Sequence, residues 1–207
     1  MSLEQTPPAA RSDVRPTPPP TDAAPGRPYV VPGVLLTLGA VGWATGQLLF
    51  GLDPETRADR LTYAALGAPF QLGLLGLLWV VDRTRALGQG RVAHVYVRVV
   101  AVLVVLAIGS TISDAVGATD MDRVGWALLD ASWPLSMLGM FTVGVRIAIA
   151  GRWRGPARWW PLGAESWALV VIPVMGAFGD DVGLAVSVVH LCLGYGGLGV
   201  VVARKQG

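Results

Sequence analysis

The sequence predicts an all-α membrane protein, a polytopic bundle of six transmembrane helices with both the N-terminus and the C-terminus in the cytoplasm. Three observations predict this fold class. Of the 207 residues, 53% are hydrophobic and only 14% are charged, which leaves too few charges to cover a water-exposed surface. Six apolar stretches each reach the length of about 20 residues that crosses a bilayer. The Lys and Arg residues gather at one end of the resulting bundle.

The six predicted spans form one transmembrane domain over residues 29–207. They cover residues 29–50, 61–81, 92–113, 124–149, 160–179 and 182–203. Each stretch is too long for a strand and lacks a strict two-residue alternation, which favours helices. The segment before them, 1–28, is polar and rich in proline, and it contains no apolar run. Such a composition cannot build a core, so we expect a disordered cytoplasmic tail.

The distribution of Lys and Arg predicts an orientation. Thirteen of the 16 cations fall in the tail, in the connections after the second and fourth spans, near the C-terminus, or just inside a span at that same end. The other three are Arg57, Arg60 and Arg123, at the opposite end, where most of the acidic residues lie. Because cytoplasmic connections are enriched in Lys and Arg, we expect a multi-pass protein of the plasma (inner) membrane with both termini in the cytoplasm.

Ionisable side chains within a span are costly in lipid, so each one marks a candidate site. Asp130 in the fourth span and His190 in the sixth lie in the half nearest the acidic end, with Gln47 close to that end and Gln71 near mid-depth. Pro134 cannot donate to the carbonyl of Asp130, which predicts a kink beside this carboxylate. The sequence therefore predicts an outward-opening polar pocket for a small ligand or an ion. The alternative is a hydrogen-bonded clamp between Asp130 and His190.

Two patterns of small residues predict close helix packing. One is the GxxxG spacing of Gly42 and Gly46 in the first span. The other is a small and polar stripe on the sixth span, formed by Ser187, His190, Gly194 and Gly197. Both patterns let a neighbouring backbone approach closely.

A second candidate cluster lies toward the cationic end. Glu165 in the fifth span needs a partner inside the membrane, and Arg146 or Arg98 can reach it, which predicts a structural ion pair. The two histidines, His94 and His190, lie too far apart in depth to be axial ligands of one haem. We therefore expect no cofactor and no metal site. The sequence offers no recognisable nucleophile and base, which favours a protein that is not an enzyme.

Three segments carry a resemblance to a known group of proteins. They are WPLSMLGMF (133–141), AGRWRGPARWWPL (150–162) and AESWA (164–168). These segments resemble a group of uncharacterised six-helix integral membrane proteins of high-GC Gram-positive bacteria. The resemblance implies the same six-helix architecture and carries no activity with it.

Two functions are consistent with the sequence. The first is small-ligand or ion binding, or permeation, through a polar pocket near Asp130 and His190. The second is a non-catalytic accessory or structural partner of another membrane protein, which would dock on the arginine-rich connections and the proline-rich tail. Besides the lipid bilayer, a homo-oligomer and a membrane-protein partner both remain open. A nucleic-acid partner is not expected, because the net charge is only +2 and the cations mark one side of the membrane.

Overall fold

The computed structural model describes residues 28–205, and in this part of the chain it contains helices and short connections without any strand. Six helices are long and apolar enough to cross a membrane. In chain order they are α1 (Val30–Phe50), α2 (Arg57–Arg83), α3 (Arg91–Ala115), α4 (Val124–Ala150), α5 (Pro156–Phe178) and α6 (Asp180–Ala203). The predicted all-α bundle of six spans is confirmed. The predicted tail, 1–28, lies outside the described residues except for Pro28.

Several helices begin earlier than the apolar runs that predict them. The span predicted from residue 61 belongs to α2, which begins at Arg57 because the Thr56 hydroxyl caps it and accepts the backbone N–H of Asp59 at 3.1 Å. The span predicted from residue 160 belongs to α5, which begins at Pro156, since proline is well suited to a first helical position. Charged and polar residues thus extend the helices past the hydrocarbon core.

The six helices form a closed ring. Each helix packs against the next one in the chain, and α1 packs against α6. The Thr37 hydroxyl of α1 donates to the Gly196 carbonyl of α6 at 3.0 Å, so the start of α1 lies beside the end of α6. We call this end of the ring, which also carries Arg83, Arg91 and Arg152, the cationic end. The opposite end, with Asp53, Asp114 and Asp180, is the acidic end.

Three of the six helices are interrupted. A turn at Ala131 divides α4 three residues before Pro134, where the missing proline N–H predicts a kink. A turn at Ser166 divides α5, and residues Leu191–Gly196 of α6 form a π-helical segment. Such segments are often found at functional sites.

The outward faces of the helices are apolar. Large hydrophobic side chains that are more than half exposed occur on every span, among them Leu38, Leu72, Val102, Leu138, Leu169 and Leu193. Leaving a side chain of this size in water rather than burying it costs about 1.5–3 kcal/mol, whereas lipid solvates it directly. The fold therefore fits an integral, multi-pass membrane protein.

Glycines bring α1 and α2 into backbone contact. A Cβ atom on Gly42 would lie 2.6 Å from the Leu66 carbonyl oxygen, and one on Gly39 would overlap the backbone of Phe70. A Cβ atom on Gly46 would lie 3.1 Å from the Tyr63 ring. The helix-packing face predicted from the spacing of Gly42 and Gly46 is confirmed, and its partner is α2.

We expect Gly39→Ala to destabilise the fold by roughly 1–3 kcal/mol, because the added methyl group must push α1 away from α2. Gly176→Ala is the matched control, since nothing lies within 4 Å of a Cβ atom there, and Ala favours a helix over Gly. Thermal unfolding in detergent, followed by circular dichroism, measures both variants. Equal melting temperatures for the two variants would contradict the close contact.

Candidate functional site

Aromatic side chains from five helices meet in the middle of the ring. Trp43 of α1 packs against Phe70 of α2, Trp133 of α4 and Trp167 of α5, with ring centroids 4.9, 5.8 and 6.2 Å apart. Phe70 also meets the ring of Tyr195 from α6 edge-on, at 4.8 Å. These five residues are called the central aromatic cluster below. Contacts of this kind add about 0.5–1.5 kcal/mol per pair beyond the apolar area that they bury.

The indole N–H groups of the cluster all donate to hydroxyl groups on other helices. The three pairs are Trp43 to Tyr63 (2.8 Å), Trp133 to Thr111 (3.1 Å) and Trp167 to Ser187 (3.0 Å). A buried indole needs such a partner, and the bond fixes the plane of the ring. The tryptophans are therefore held in orientation by three neighbouring helices.

The two predicted glutamines belong to this network. Gln71 is buried and donates from Nε2 to the Thr111 hydroxyl at 2.8 Å. Gln47 is buried too, and its Oε1 accepts from the Ser187 hydroxyl at 2.7 Å. Ser187 in turn receives the N–H of Trp167, so Gln47 positions an aromatic ring from a distance.

Glu165 lies against the central aromatic cluster with only 4% of its surface exposed. The Tyr195 hydroxyl donates to its Oε2 at 2.9 Å. Its Oε1 is buried and has no hydrogen-bond partner among residues 28–205. About nine residues, or roughly 14 Å of helix, separate Glu165 from the start of α5, which places the carboxyl group near mid-depth. A buried acceptor left alone typically costs about 1–3 kcal/mol, and more when it is charged.

The structure gives Glu165 a different partner from the predicted one. Arg146 and Arg98 are both exposed, and neither forms an ion pair with Glu165 in the described part of the chain. Because α5 begins at residue 156 instead of 160, Glu165 lies in the third turn of the helix and not in the second. At that depth its partner is the Tyr195 hydroxyl.

Three cavities succeed one another from the acidic end to Glu165. The outer cavity, about 230 Å³, is lined by Asp53, Arg60, Asp114 and Asp130 among others. The middle cavity, about 40 Å³, is lined by Trp43, Tyr63, Gln71, Thr111 and Trp133 among others. The inner cavity, about 20 Å³, is lined by Glu165 and the whole central aromatic cluster.

Shared side chains connect these three cavities. Tyr63 and Thr111 line both the outer and the middle cavity, and Trp43 lines both the middle and the inner one. Trp133 lines all three. The three cavities are therefore adjacent, and the Trp133 side chain borders each of them.

Asp130 and His190 do not meet. Asp130 lines the outer cavity, where the Ser110 hydroxyl donates to its Oδ1 at 3.3 Å. The Nε2 atom of His190 lies 3.0 Å from the Ala164 carbonyl oxygen of α5. No hydrogen bond or ion pair between Asp130 and His190 is found within the described range. Asp130 therefore lines the outer cavity, whereas His190 belongs to the contact between α5 and α6.

His190 joins two interrupted helices. A carbonyl group can only accept, so the bond to Ala164 places a hydrogen on Nε2 of His190. Close by, the indole N–H of Trp160 in α5 donates to the Gly194 carbonyl in the π-helical segment at 2.9 Å. Carbonyl groups beside helix interruptions need such donors in lipid. The small stripe predicted around His190 thus packs against α5, as the close contacts of Gly194 and Gly197 with that helix also show.

The sequence did not single out the aromatic residues as a site. Nothing in the spacing of Trp43, Trp133, Trp167 and Tyr195 shows that they converge. One signal was available, since three tryptophans lie well inside spans and not at the ends where aromatic belts form. Comparison with protein-family profiles, curated proteins and solved structures finds no match to this chain.

We expect His190→Ala to lower the free energy of unfolding by about 1–3 kcal/mol, because the Ala164 carbonyl group loses its hydrogen-bond donor at a buried position. Val189→Ala is the control, since Val189 is exposed on the neighbouring position of α6. Unfolding in detergent measures both. A His190→Ala protein as stable as the control would contradict the bridging role of His190.

Proposed function

We propose that this protein binds a small monovalent cation, which reaches Glu165 from the acidic end of the ring. One observation carries the proposal: a buried carboxyl group with an unpartnered oxygen lines the innermost of the three adjacent cavities. Ionisable groups at this depth in a membrane protein are usually functional. A bound cation would satisfy Oε1 while the Tyr195 hydroxyl satisfies Oε2.

The charges around the outer cavity favour cations. Three carboxylates, from Asp53, Asp114 and Asp130, line it together with a single cation, Arg60. A negative cleft with low-dielectric walls concentrates cations at its mouth. Within residues 28–205 no group of three or more His, Cys, Asp or Glu side chains is arranged to hold a metal ion. The outer cavity is therefore better suited to attract cations than to chelate them.

The inner cavity limits the size of the occupant and adds a second attraction. Its volume of about 20 Å³ matches roughly one water molecule, which suits an ion of the size of ammonium or smaller. The faces of aromatic rings attract cations by about 0.5–2 kcal/mol each, most strongly for Trp. Trp43, Trp133 and Trp167 all line this cavity beside Glu165.

The packing beyond Glu165 favours binding over open conduction. Toward the cationic end the ring is filled by fully buried apolar side chains, among them Leu77, Leu78, Ile147 and Leu198. An ion held at Glu165 therefore returns toward the acidic end unless this core opens. With the acidic end outside the cell, as the Lys and Arg distribution favours, the cation arrives from the external solution.

Tryptophan emission tests the site, because three tryptophans border the inner cavity. We expect ammonium or methylammonium chloride, titrated at constant ionic strength and pH, to change the emission of the wild-type protein in nanodiscs in a saturable way. Glu165→Gln should weaken the affinity by about tenfold or more, because an amide cannot carry the negative charge that would balance the bound cation. Glu55→Gln, an exposed carboxylate that lines none of the three cavities, is the matched control.

Two further variants distinguish attraction of the cation by the outer cavity from its binding at Glu165. Asp130→Asn should weaken the affinity a few-fold and reduce its dependence on salt, whereas Asp122→Asn should not. Tyr195→Phe keeps the carboxyl group of Glu165 and removes its hydrogen-bond donor, so it replaces Glu165→Gln as the test variant if Glu165→Gln does not fold. No saturable response in the wild-type protein, or the same response in Glu165→Gln and Glu55→Gln, would overturn the proposal.

Cysteine labelling tests the orientation. The chain has a single cysteine, so Cys192→Ser provides a background for Ala118→Cys at the acidic end and Gln89→Cys at the cationic end. A membrane-impermeant maleimide applied to intact cells should label Ala118→Cys and should label Gln89→Cys only after lysis. The reverse pattern would place the outer cavity on the cytoplasmic side.

A further inference from the structure

A second, chemically opposite cavity lies at the cationic end. It has a volume of about 490 Å³ and is formed by the connection between α4 and α5, the start of α5 and the end of α6. Four of its eight lining residues are cations, namely Arg152, Arg154, Arg204 and Lys205. The other four are Pro156, Ala157, Val200 and Val201, so no acidic side chain from residues 28–205 lines it.

These four cations have no ion-pair partner in the part of the chain that the structure describes. The ion pairs found there are His94 with Asp82 and Arg123 with Asp120, both elsewhere. Arg158, in the same region, is engaged differently, because it donates from Nε to the Ala148 carbonyl at 2.9 Å. The cations of the cavity are thus available to a ligand, whereas Arg158 caps the end of α4.

The cavity wall is held in place by a buried tryptophan. Trp153 stands between Arg152 and Arg154, is only 2% exposed, and donates from Nε1 to the Thr84 hydroxyl at 3.0 Å. Because Trp153 is buried, both flanking arginines line the same cavity. The Lys205 ammonium group lies 4.9 Å from the centre of the Trp153 ring. Partial burial lowers the pKa of Lys205, so an anion beside it would be favourable.

We infer that this cavity binds the phosphate headgroup of an anionic membrane lipid. A guanidinium group can bind two phosphate oxygens at once, and three guanidinium groups line this cavity. The cavity lies where α5 begins and α6 ends, which is the depth of the headgroups. Val200 is 40% exposed beside it and offers an apolar surface for an acyl chain. These last two features favour a lipid over a free phosphate ion.

Native mass spectrometry of the full-length protein, released from mild detergent, tests this inference. Phosphatidylglycerol and phosphatidylcholine are titrated separately, and sodium phosphate forms a third arm. We expect phosphatidylglycerol to bind with a stoichiometry of one tight site, at least about tenfold more tightly than phosphatidylcholine. Inorganic phosphate at millimolar concentration should not displace it.

Two sets of variants distinguish a defined site from diffuse attraction. Arg152→Gln, Arg154→Gln and Arg204→Gln combined should weaken phosphatidylglycerol binding by about tenfold or more. The matched control combines Arg83→Gln, Arg91→Gln and Arg98→Gln, which remove the same charge from exposed positions at the same end that do not line the cavity. Control binding should change less than about threefold. Gel filtration verifies that both proteins remain folded. If the triple variant of the cavity does not fold, single replacements of Arg154 or Arg204 take its place.

Four outcomes would overturn the inference. Equal weakening in both triple variants would show diffuse electrostatics in place of a site. Displacement by inorganic phosphate would assign the cavity to the free ion. A protein that co-purifies and is lost only from the cavity variant would assign it to a protein partner. Equal binding of the two lipids would remove the headgroup from the interaction. None of these outcomes depends on the cation site at Glu165.

Discussion

In the interior of a bilayer no water is available, so hydrogen-bond donors and acceptors must find their partners within the protein. In this protein, hydrogen bonds of that kind join the six helices of the ring. Hydroxyl groups of Tyr63, Thr111 and Ser187 receive the indole N–H groups of the central aromatic cluster. His190 and Trp160 donate to carbonyls beside the interruptions of α5 and α6. Each of these bonds links two different helices, so polar groups determine which helices are neighbours as much as apolar packing does.

Among residues 28–205, four buried side-chain atoms have no hydrogen-bond partner, and the second oxygen of Glu165 is the one that lies against the central aromatic cluster. It is buried and unpartnered among the described residues, in a protein where buried indoles and amides have found donors or acceptors. The Tyr195 hydroxyl satisfies the other oxygen, and the aromatic rings around the carboxyl group attract positive charge. The aromatic side chains that stabilise the packing of the six helices therefore also create the environment in which a cation would be held.

The two ends of the molecule show opposite chemistry. At the acidic end, carboxylates line the outermost of three adjacent cavities, the innermost of which is lined by Glu165. At the cationic end, four Lys and Arg residues line a cavity that lies at headgroup depth and is separated from Glu165 by a fully buried apolar core. We propose a cation as the ligand of the first and a lipid phosphate as the ligand of the second. A protein with this asymmetry would be oriented in the membrane by the cationic end and open to solutes at the acidic end.

The sequence by itself determined the helices, because hydrophobic run length in lipid leaves little alternative to a spanning helix. It also determined the interruption near Pro134 and the packing faces at Gly42, Gly46 and the stripe around His190, since these depend on local backbone chemistry. It predicted Asp130 and Gln47 in the acidic half and Gln71 near the middle of its helix.

Only the tertiary structure decided which of these groups meet. Position along a sequence gives depth in the membrane, but it does not give the rotation of each helix or the order of helices around the ring. Asp130 and His190 share a similar depth and yet belong to different contacts. Glu165 contacts Tyr195 and not an arginine, because its helix turns it toward the centre of the ring while Arg98 and Arg146 lie on exposed faces. The central aromatic cluster was invisible to the sequence for the same reason, since its five residues come from five helices and converge only when the ring closes.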